Sequence, residues 1–168
     1  MRLSVVNVSN NYLTTFSAVA LTVNVVSSAR FPSPEWVEAY CRALNESPEY
    51  RRAGRGWVWP ILFIATDLPE DLRSIYTSNN PGFLLDLYDG ECRGYRFFDD
   101  ALKADAPFII SARFSDWVDI ILGKESPVSA LIRRKLVLRK GDMAAVLRYA
   151  SAAIEMVKAA QRVGGVTS

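Results

Sequence analysis

"FSDWVDIILGKESPVSALIRRKLVLRKGD", residues 114–142, decides the fold class. It reads as one ordered unit. Ser115 caps an aromatic-rich helix holding Trp117, Ile120 and Ile121; Gly123 stops it; Ser126-Pro127 starts a second helix with Val128, Leu131 and Ile132 on one side. A Ser-Pro pair opens a helix on two counts. The hydroxyl satisfies an orphan N–H, and the fixed φ of proline suits the first helical position. A basic elbow follows, then the apolar strand "KLVLR" and a Gly-Asp turn. Two helices feeding a strand need a sheet for that strand to join. The unit holds no His and no cysteine pair.

Outward from this stretch, the pattern continues on both sides. Downstream, Asp142 caps a last helix whose stripe is Met143, Leu147, Ala150, Ile154 and Val157, ended by Gly164-Gly165. Upstream, "APFIISARF" (106–114) and "WVWPILFIATD" (57–67) are strand-like. The second is apolar on both faces, so it is expected to be buried on both, with Pro60 marking an edge or bulge nearby. Between them, "GFLLDLYDGECRGYRFF" (82–98) is a hairpin about Asp89-Gly90. Three consecutive strand units joined by short turns predict an antiparallel meander. Ser33-Pro34 and Ser47-Pro48 open two early helices, the first with Trp36, Val37, Tyr40 and Leu44 on one face. Segregated helices and strands of this kind mean α+β.

The chain has 168 residues and a net charge of +2. That fits a single domain able to bury a core, and the near-balanced charge gives no footprint for nucleic acid. There is no histidine, which excludes Ser-His-Asp and Cys-His mechanisms and removes the commonest metal ligand. No cofactor and no metal are expected. Asp99, Asp100 and Asp105 read as turn residues, "GKES" lacks the spacing of a phosphate loop, and "GYRFF" reads as core strand rather than a base-stacking platform. Cys41 and Cys92 lie in no metal-ligand spacing. Two buried thiols are the plainer reading, one disulfide the other.

Residues 1–30 stand apart: Arg2 and Arg30 are their only charges, and Phe16 to Val26 is mostly apolar. One reading is a secretion signal. The favoured one is an added strand or arm, because Leu21, Val23 and Val25 alternate against Ala20, Thr22 and Asn24. Such an arm offers a route to a homo-oligomer. The domain proper is then 31–168.

"WVEAYCRALNESPEYRRAGRGW" (36–57), "DLYDGECRGYRF" (86–97) and the opening stretch followed by an apolar helix together resemble the sterol carrier protein 2 family, over roughly Pro34 to Val163. The resemblance implies a five-stranded, mainly antiparallel sheet covered by helices on one side, with an apolar tunnel between. It implies a non-catalytic domain that binds fatty acid, acyl-CoA or an isoprenoid- or sterol-like lipid. Two departures are visible: the family commonly has Gly where this chain has Arg134, and "GGVTS" is not a peroxisomal address of the SKL kind. A cytoplasmic location is expected.

Candidate tunnel residues are Trp117, Ile121, Ile132, Leu136, Met143, Leu147, Ala150 and Ile154. Their spacing alone fits ordinary core packing equally well. The alanines of the last helix favour a hollow, since small side chains leave space and methionine adapts to irregular guests. Arg133, Arg134 and Lys135 are the candidate headgroup residues, or a contact for an anionic membrane surface. The competing function is an accessory domain of the same fold with no working cavity.

Overall fold

A computed structural model describes residues 29–166. The expectations for a secretion signal, an arm or an oligomer contact in residues 1–30 fall, but for Ala29 and Arg30, outside that range.

Both early helices start as their sequences dictate. In α1 (Pro34–Asn45) the Ser33 hydroxyl accepts the Trp36 N–H at 3.1 Å, and in α2 (Pro48–Ala53) the Ser47 hydroxyl accepts the Tyr50 N–H at 3.0 Å. α1 buries Trp36, Val37, Tyr40, Cys41 and Leu44. β1 (Ile61–Thr66) follows, then the single-turn α3 (Glu70–Arg73), β2 (Gly82–Tyr88) and β3 (Glu91–Phe98). Tyr88 pairs with Glu91 across a two-residue turn in which Asp89 (φ 52°) and Gly90 (φ 84°) are both left-handed, as a type I′ turn requires. A Cβ on Gly90 would meet the Arg51 carbonyl oxygen at 2.3 Å, so glycine there also lets α2 pack on the turn.

The remaining elements are β4 (Phe108–Arg113), α4 (Phe114–Ile121), α5 (Pro127–Ile132), β5 (Val137–Lys140), α6 (Met143–Arg148) and α7 (Ala150–Val163). The five strands run in the order β3-β2-β1-β4-β5. Every pairing is antiparallel except β1 with β4, which is parallel from Ile61↔Phe108 to Thr66↔Arg113. The meander therefore holds for β1-β2-β3 but not for β4, which crosses to the free side of β1. The burial pattern gives the reason. β1 is covered on both faces, whereas β3 exposes Glu91, Arg93, Tyr95 and Arg96 and is suited only to an edge. Pro60 marks neither edge nor bulge. It precedes the first ladder residue of the central strand, where its missing N–H costs no hydrogen bond.

Three other local readings change. Ser115 does not cap α4: the N-cap residue is Arg113, with no side-chain cap, and Arg113 instead grips the buried Asp116 at 2.9 Å. The single last helix is two. Asp142 caps α6 by accepting the Ala144 N–H at 3.2 Å, and the helix breaks at Tyr149 (ψ 29°), whose ring is pinned edge-on to Trp57 at 5.3 Å. The break rotates the following helix, so the predicted stripe does not continue. Met143, Leu147 and Ile154 are exposed, while Ala145, Ala152, Ala159, Ala160 and Val163 are buried.

The third concerns Cys41 and Cys92, which are not two thiols but a disulfide joining α1 to β3, with Cα atoms 5.5 Å apart. Backbone geometry brings them together. The Asn45 side chain, one turn along α1, donates to the Cys92 carbonyl and accepts from the Cys92 N–H, each at 2.8 Å. The helix is thus docked on the strand like one more strand residue.

Because the bond closes a loop spanning 51 residues, chain entropy predicts that it contributes about 4 kcal/mol to stability. Cys41→Ser and Cys92→Ser should each lower the unfolding free energy obtained from a urea titration by that amount, and added reductant should do the same to the wild type and nothing to the variants. Titration of the unfolded wild type with a thiol reagent should detect no free cysteine; two reactive thiols would contradict the bond.

Candidate functional site

The sheet turns one face to the helices. Ile61 and Phe63 of β1, Leu87 of β2 and Ile110 of β4 point from it towards α4, α5 and α7. Facing them across the layer, α7 presents Ala150, Ala152 and Ala153. A tight core would place leucines opposite such a sheet, because interiors pack to crystal density. Even with Met156 and Val157 of the same helix, these small side chains do not fill the gap, and a central cavity of about 130 Å³ remains. Tyr40, Tyr50, Trp117, Leu131 and Leu136 complete its walls.

Two further hollows adjoin it. A smaller one of about 60 Å³ lies against Phe31, Trp36 and Phe83 and shares Tyr40, Phe63, Trp117, Ile120 and Val157 with the central cavity. An open groove of about 500 Å³ lies outside and shares Leu131, Leu136 and Leu147 with it. The central cavity thus shares lining residues with each of the other two.

Three polar atoms of the central walls are already engaged. The Tyr40 hydroxyl donates to the Met156 carbonyl at 3.0 Å, Trp117 Nε1 to the Ile64 carbonyl at 2.9 Å, and Trp57 Nε1 to the Trp59 carbonyl at 2.6 Å. Burial pushes the Tyr50 hydroxyl up to about 12 and that of Tyr40 higher still, with Tyr50 beside it adding to the shift. Both therefore stay neutral across the physiological range. Among the described residues, no Asp, Glu, Lys, Arg or Cys lines this cavity. The lining offers apolar surface and oriented dipoles, and no group that exchanges a proton near neutral pH.

The predicted residues divide among the hollows. Trp117, Leu136, Leu147 and Ala150 line the central cavity, and Ile121 the inner one. Ile132 and Met143 line only the outer groove, together with Leu136 and Leu147. Ile154 is exposed and lines none of the three. The sheet side of the cavity and the two tyrosines were missed. Strand alternation along 57–67 and 106–114 puts Ile61 with Phe63 and Phe108 with Ile110 on common faces, so half of that signal lies in the sequence. Tyr40 and Tyr50 are brought to the cavity by the α1–β3 staple and the Asp89-Gly90 turn, which only the tertiary fold reveals.

The three candidate headgroup cations separate as well. Glu125, its side chain almost buried, takes Lys135 at 3.0 Å and Arg133 at 3.3 Å and accepts from the Ser129 hydroxyl at 2.9 Å. Arg134 alone of the three lines the outer groove. Its φ of 64° is the left-handed conformation that favours glycine, which accounts for the family's usual residue there.

The sequence pattern of the SCP-2 sterol transfer family matches residues 72–153. A crystal structure of sterol carrier protein 2 is similar at 36% identity over 79% of this chain and 98% of its own, with a TM-score of 0.70. The solution structure of a conserved hypothetical protein from Thermus thermophilus is similar at 36% identity over 81% of this chain and 91% of its own, again with a TM-score of 0.70. No curated protein matches the sequence.

The elbow's electrostatics carry a pH signature. Hydrogen bonds from Lys135 and then Ser129, helped by Arg133, hold the Glu125 carboxyl below its ordinary value of 4.5. The folded state therefore binds this proton more weakly than the unfolded chain does. The stability Glu125 provides is present above about pH 4.5 and is lost as pH falls through the lowered folded value. Glu125→Gln should unfold at lower urea than the wild type at pH 7, and the gap should close on acidification below pH 4.5. A gap independent of pH would refute the ionic origin.

Proposed function

This chain belongs to the SCP-2 sterol transfer family, and from that premise we propose that it is a non-catalytic carrier of one apolar chain. The guest is a fatty acid, acyl-CoA or an isoprenoid- or sterol-like lipid, held between the sheet and α7. The observation that carries this reading is the alanine face of α7, set against Phe63 and Ile110 across an unfilled gap.

Energetics support it. Each buried methylene gains about 0.8 kcal/mol, so a chain of ten carbons binds without any specific polar contact. Tyr40, Trp57 and Trp117 have their polar atoms engaged within the protein, so an apolar guest strands none of these three donors. Among the described residues the lining holds no carboxylate, amine or thiol, and its Tyr40 and Tyr50 hydroxyls stay neutral near pH 7, which suits a carrier and leaves an acid–base enzyme without its proton-transfer group.

Size sets a condition. A dry cavity of about 150 Å³ admits a benzene-sized guest, and the central cavity is of that order at about 130 Å³. A long acyl chain must therefore extend through the shared side chains into the inner hollow or the outer groove. This is also the observation that favours the second reading, an accessory domain whose hollows stay shut. Among the described residues no helix is long and apolar enough to cross a membrane. The Cys41–Cys92 bond belongs to an oxidising compartment and weighs against the cytoplasmic location expected from sequence.

Mass spectrometry of an organic extract of the purified protein should find an apolar lipid, and a fluorescent fatty acid should bind saturably at one equivalent. Ala153→Phe should fill the central cavity and weaken probe binding at least about tenfold, while changing stability by no more than about 1–3 kcal/mol, the usual cost of an enlarged core side chain. An empty extract with no saturable binding leaves only the accessory reading.

A further inference from the structure

The outer groove has a composition that the carrier reading does not itself require. Its rim is apolar yet open to solvent: Ile132 is 71% exposed, Val137 45%, Leu147 44% and Met143 42%. Four such side chains on α5, β5 and α6 make a continuous patch, whereas isolated exposed apolar residues need no explanation. The floor of this groove is the outer wall of the central cavity, through Leu131, Leu136 and Leu147.

Charge is concentrated around the same patch. Residues 131–149 hold six cations (Arg133, Arg134, Lys135, Arg139, Lys140 and Arg148) against the single acid Asp142, a net +5 in a chain whose total is only +2. Glu125 pairs with both Arg133 and Lys135 and offsets one of their two charges, and Asp105 takes Lys140 at 2.8 Å. Arg134, Arg139 and Arg148 form no ion pair among the described residues and are exposed. Asp142 is occupied by the N–H of Ala144 at the start of α6. Arg134 lines the groove directly, Arg139 follows Val137 on the same face of the edge strand, and Arg148 follows Leu147 on α6.

We infer that this face docks on an anionic phospholipid bilayer and sets the cavity's outer wall against the lipid. Ile132, Val137, Met143 and Leu147 enter the headgroup boundary while Arg134, Arg139 and Arg148 meet the phosphates. The two kinds of side chain need a partner that is at once anionic at its surface and apolar beneath it, which is what such a bilayer offers. A second copy of this chain is a poor occupant, because two faces of this charge repel. Residues 1–28 are no better matched, since they contain no Asp or Glu to neutralise the arginines. The inference rests on the carrier reading only for its purpose, the passage of a guest between membrane and cavity. Docking itself is independent of cargo.

The test uses the full chain and two measurements kept apart. Co-sedimentation is run with vesicles of phosphatidylcholine alone and of phosphatidylcholine mixed with phosphatidylserine. Binding of a fluorescent acyl probe is measured without vesicles. The wild type should partition onto the anionic vesicles in strong preference to the neutral ones, and added salt should reverse it. Arg139→Glu combined with Arg148→Glu should weaken partitioning at least about 25-fold, at about fivefold per cation removed. The acyl probe should bind that variant within about twofold of wild type, since neither arginine lines the cavity. Equal binding to both vesicle types, no vesicle binding, or a double variant that partitions like wild type would each overturn the inference. The wild-type salt series decides the matter even if the variant does not fold. Loss of probe binding in the wild type would instead refute the carrier reading and leave the docking result standing.

Discussion

Helix α7 is held to the rest of the molecule by hydrogen bonds that fix which face it shows the sheet. From α1, the Tyr40 hydroxyl reaches the Met156 carbonyl and Trp36 Nε1 the Gly164 carbonyl at 2.8 Å, while the Phe31 N–H reaches the Gly165 carbonyl at 3.0 Å. At its other end the helix starts from Tyr149, pinned on Trp57. With both ends and the middle fastened, α7 cannot roll to bring a larger side chain inward. It presents alanines to a sheet face of Ile61, Phe63 and Ile110, and the hollow follows from that rotation. The position of α1 matters as much as that of α7, and α1 is itself docked by the Cys41–Cys92 bond and the paired hydrogen bonds of Asn45.

The interior and the elbow solve opposite problems. Inside, Tyr40, Trp57 and Trp117 turn their polar atoms to backbone carbonyls, so these three donors are satisfied beside an apolar space. Outside, a dense run of cations would repel itself. Glu125, almost buried between Lys135 and Arg133, relieves part of that repulsion and holds α5 to the strand that follows. What remains unneutralised is not spread evenly. It stands beside the exposed apolar groove, where a left-handed Arg134 replaces the glycine that the backbone geometry favours. A larger side chain in a conformation that suits glycine carries a conformational cost, which is easier to understand if the guanidinium is used.

Much of the fold was legible because its signals are local. The Ser-Pro starts of α1, α2 and α5 and the Asp89-Gly90 turn depend on neighbours within a few residues, and each is found as read. The failures share a cause. Ser115 has the right chemistry for a cap, but Arg113 and Asp116 form their own ion pair and the helix begins two residues earlier. The stripe from Met143 to Val157 is a sound helical period that the break at Tyr149 interrupts, and nothing in the local pattern announces a residue pinned by Trp57. The plainer reading of the cysteines was wrong because 51 residues separate two positions that the sheet brings together. Of the candidate site, the helical walls Trp117, Leu136, Leu147 and Ala150 were within reach of periodicity and resemblance. The tyrosines were not, since they come from helices at the other end of the sequence.

By itself the sequence determined the class of the fold, the family, the start of most helices, the hairpin and the absence of histidine chemistry. These follow from hydrophobic period, capping and composition, all of which act over short separations along the chain. Only the tertiary structure decided that β4 lies beside β1, that Cys41 meets Cys92, and that α7 is rotated with its alanines inward. Each of these depends on which distant surfaces exclude water together, and a hollow in particular is a property of the space between elements, which no single element encodes.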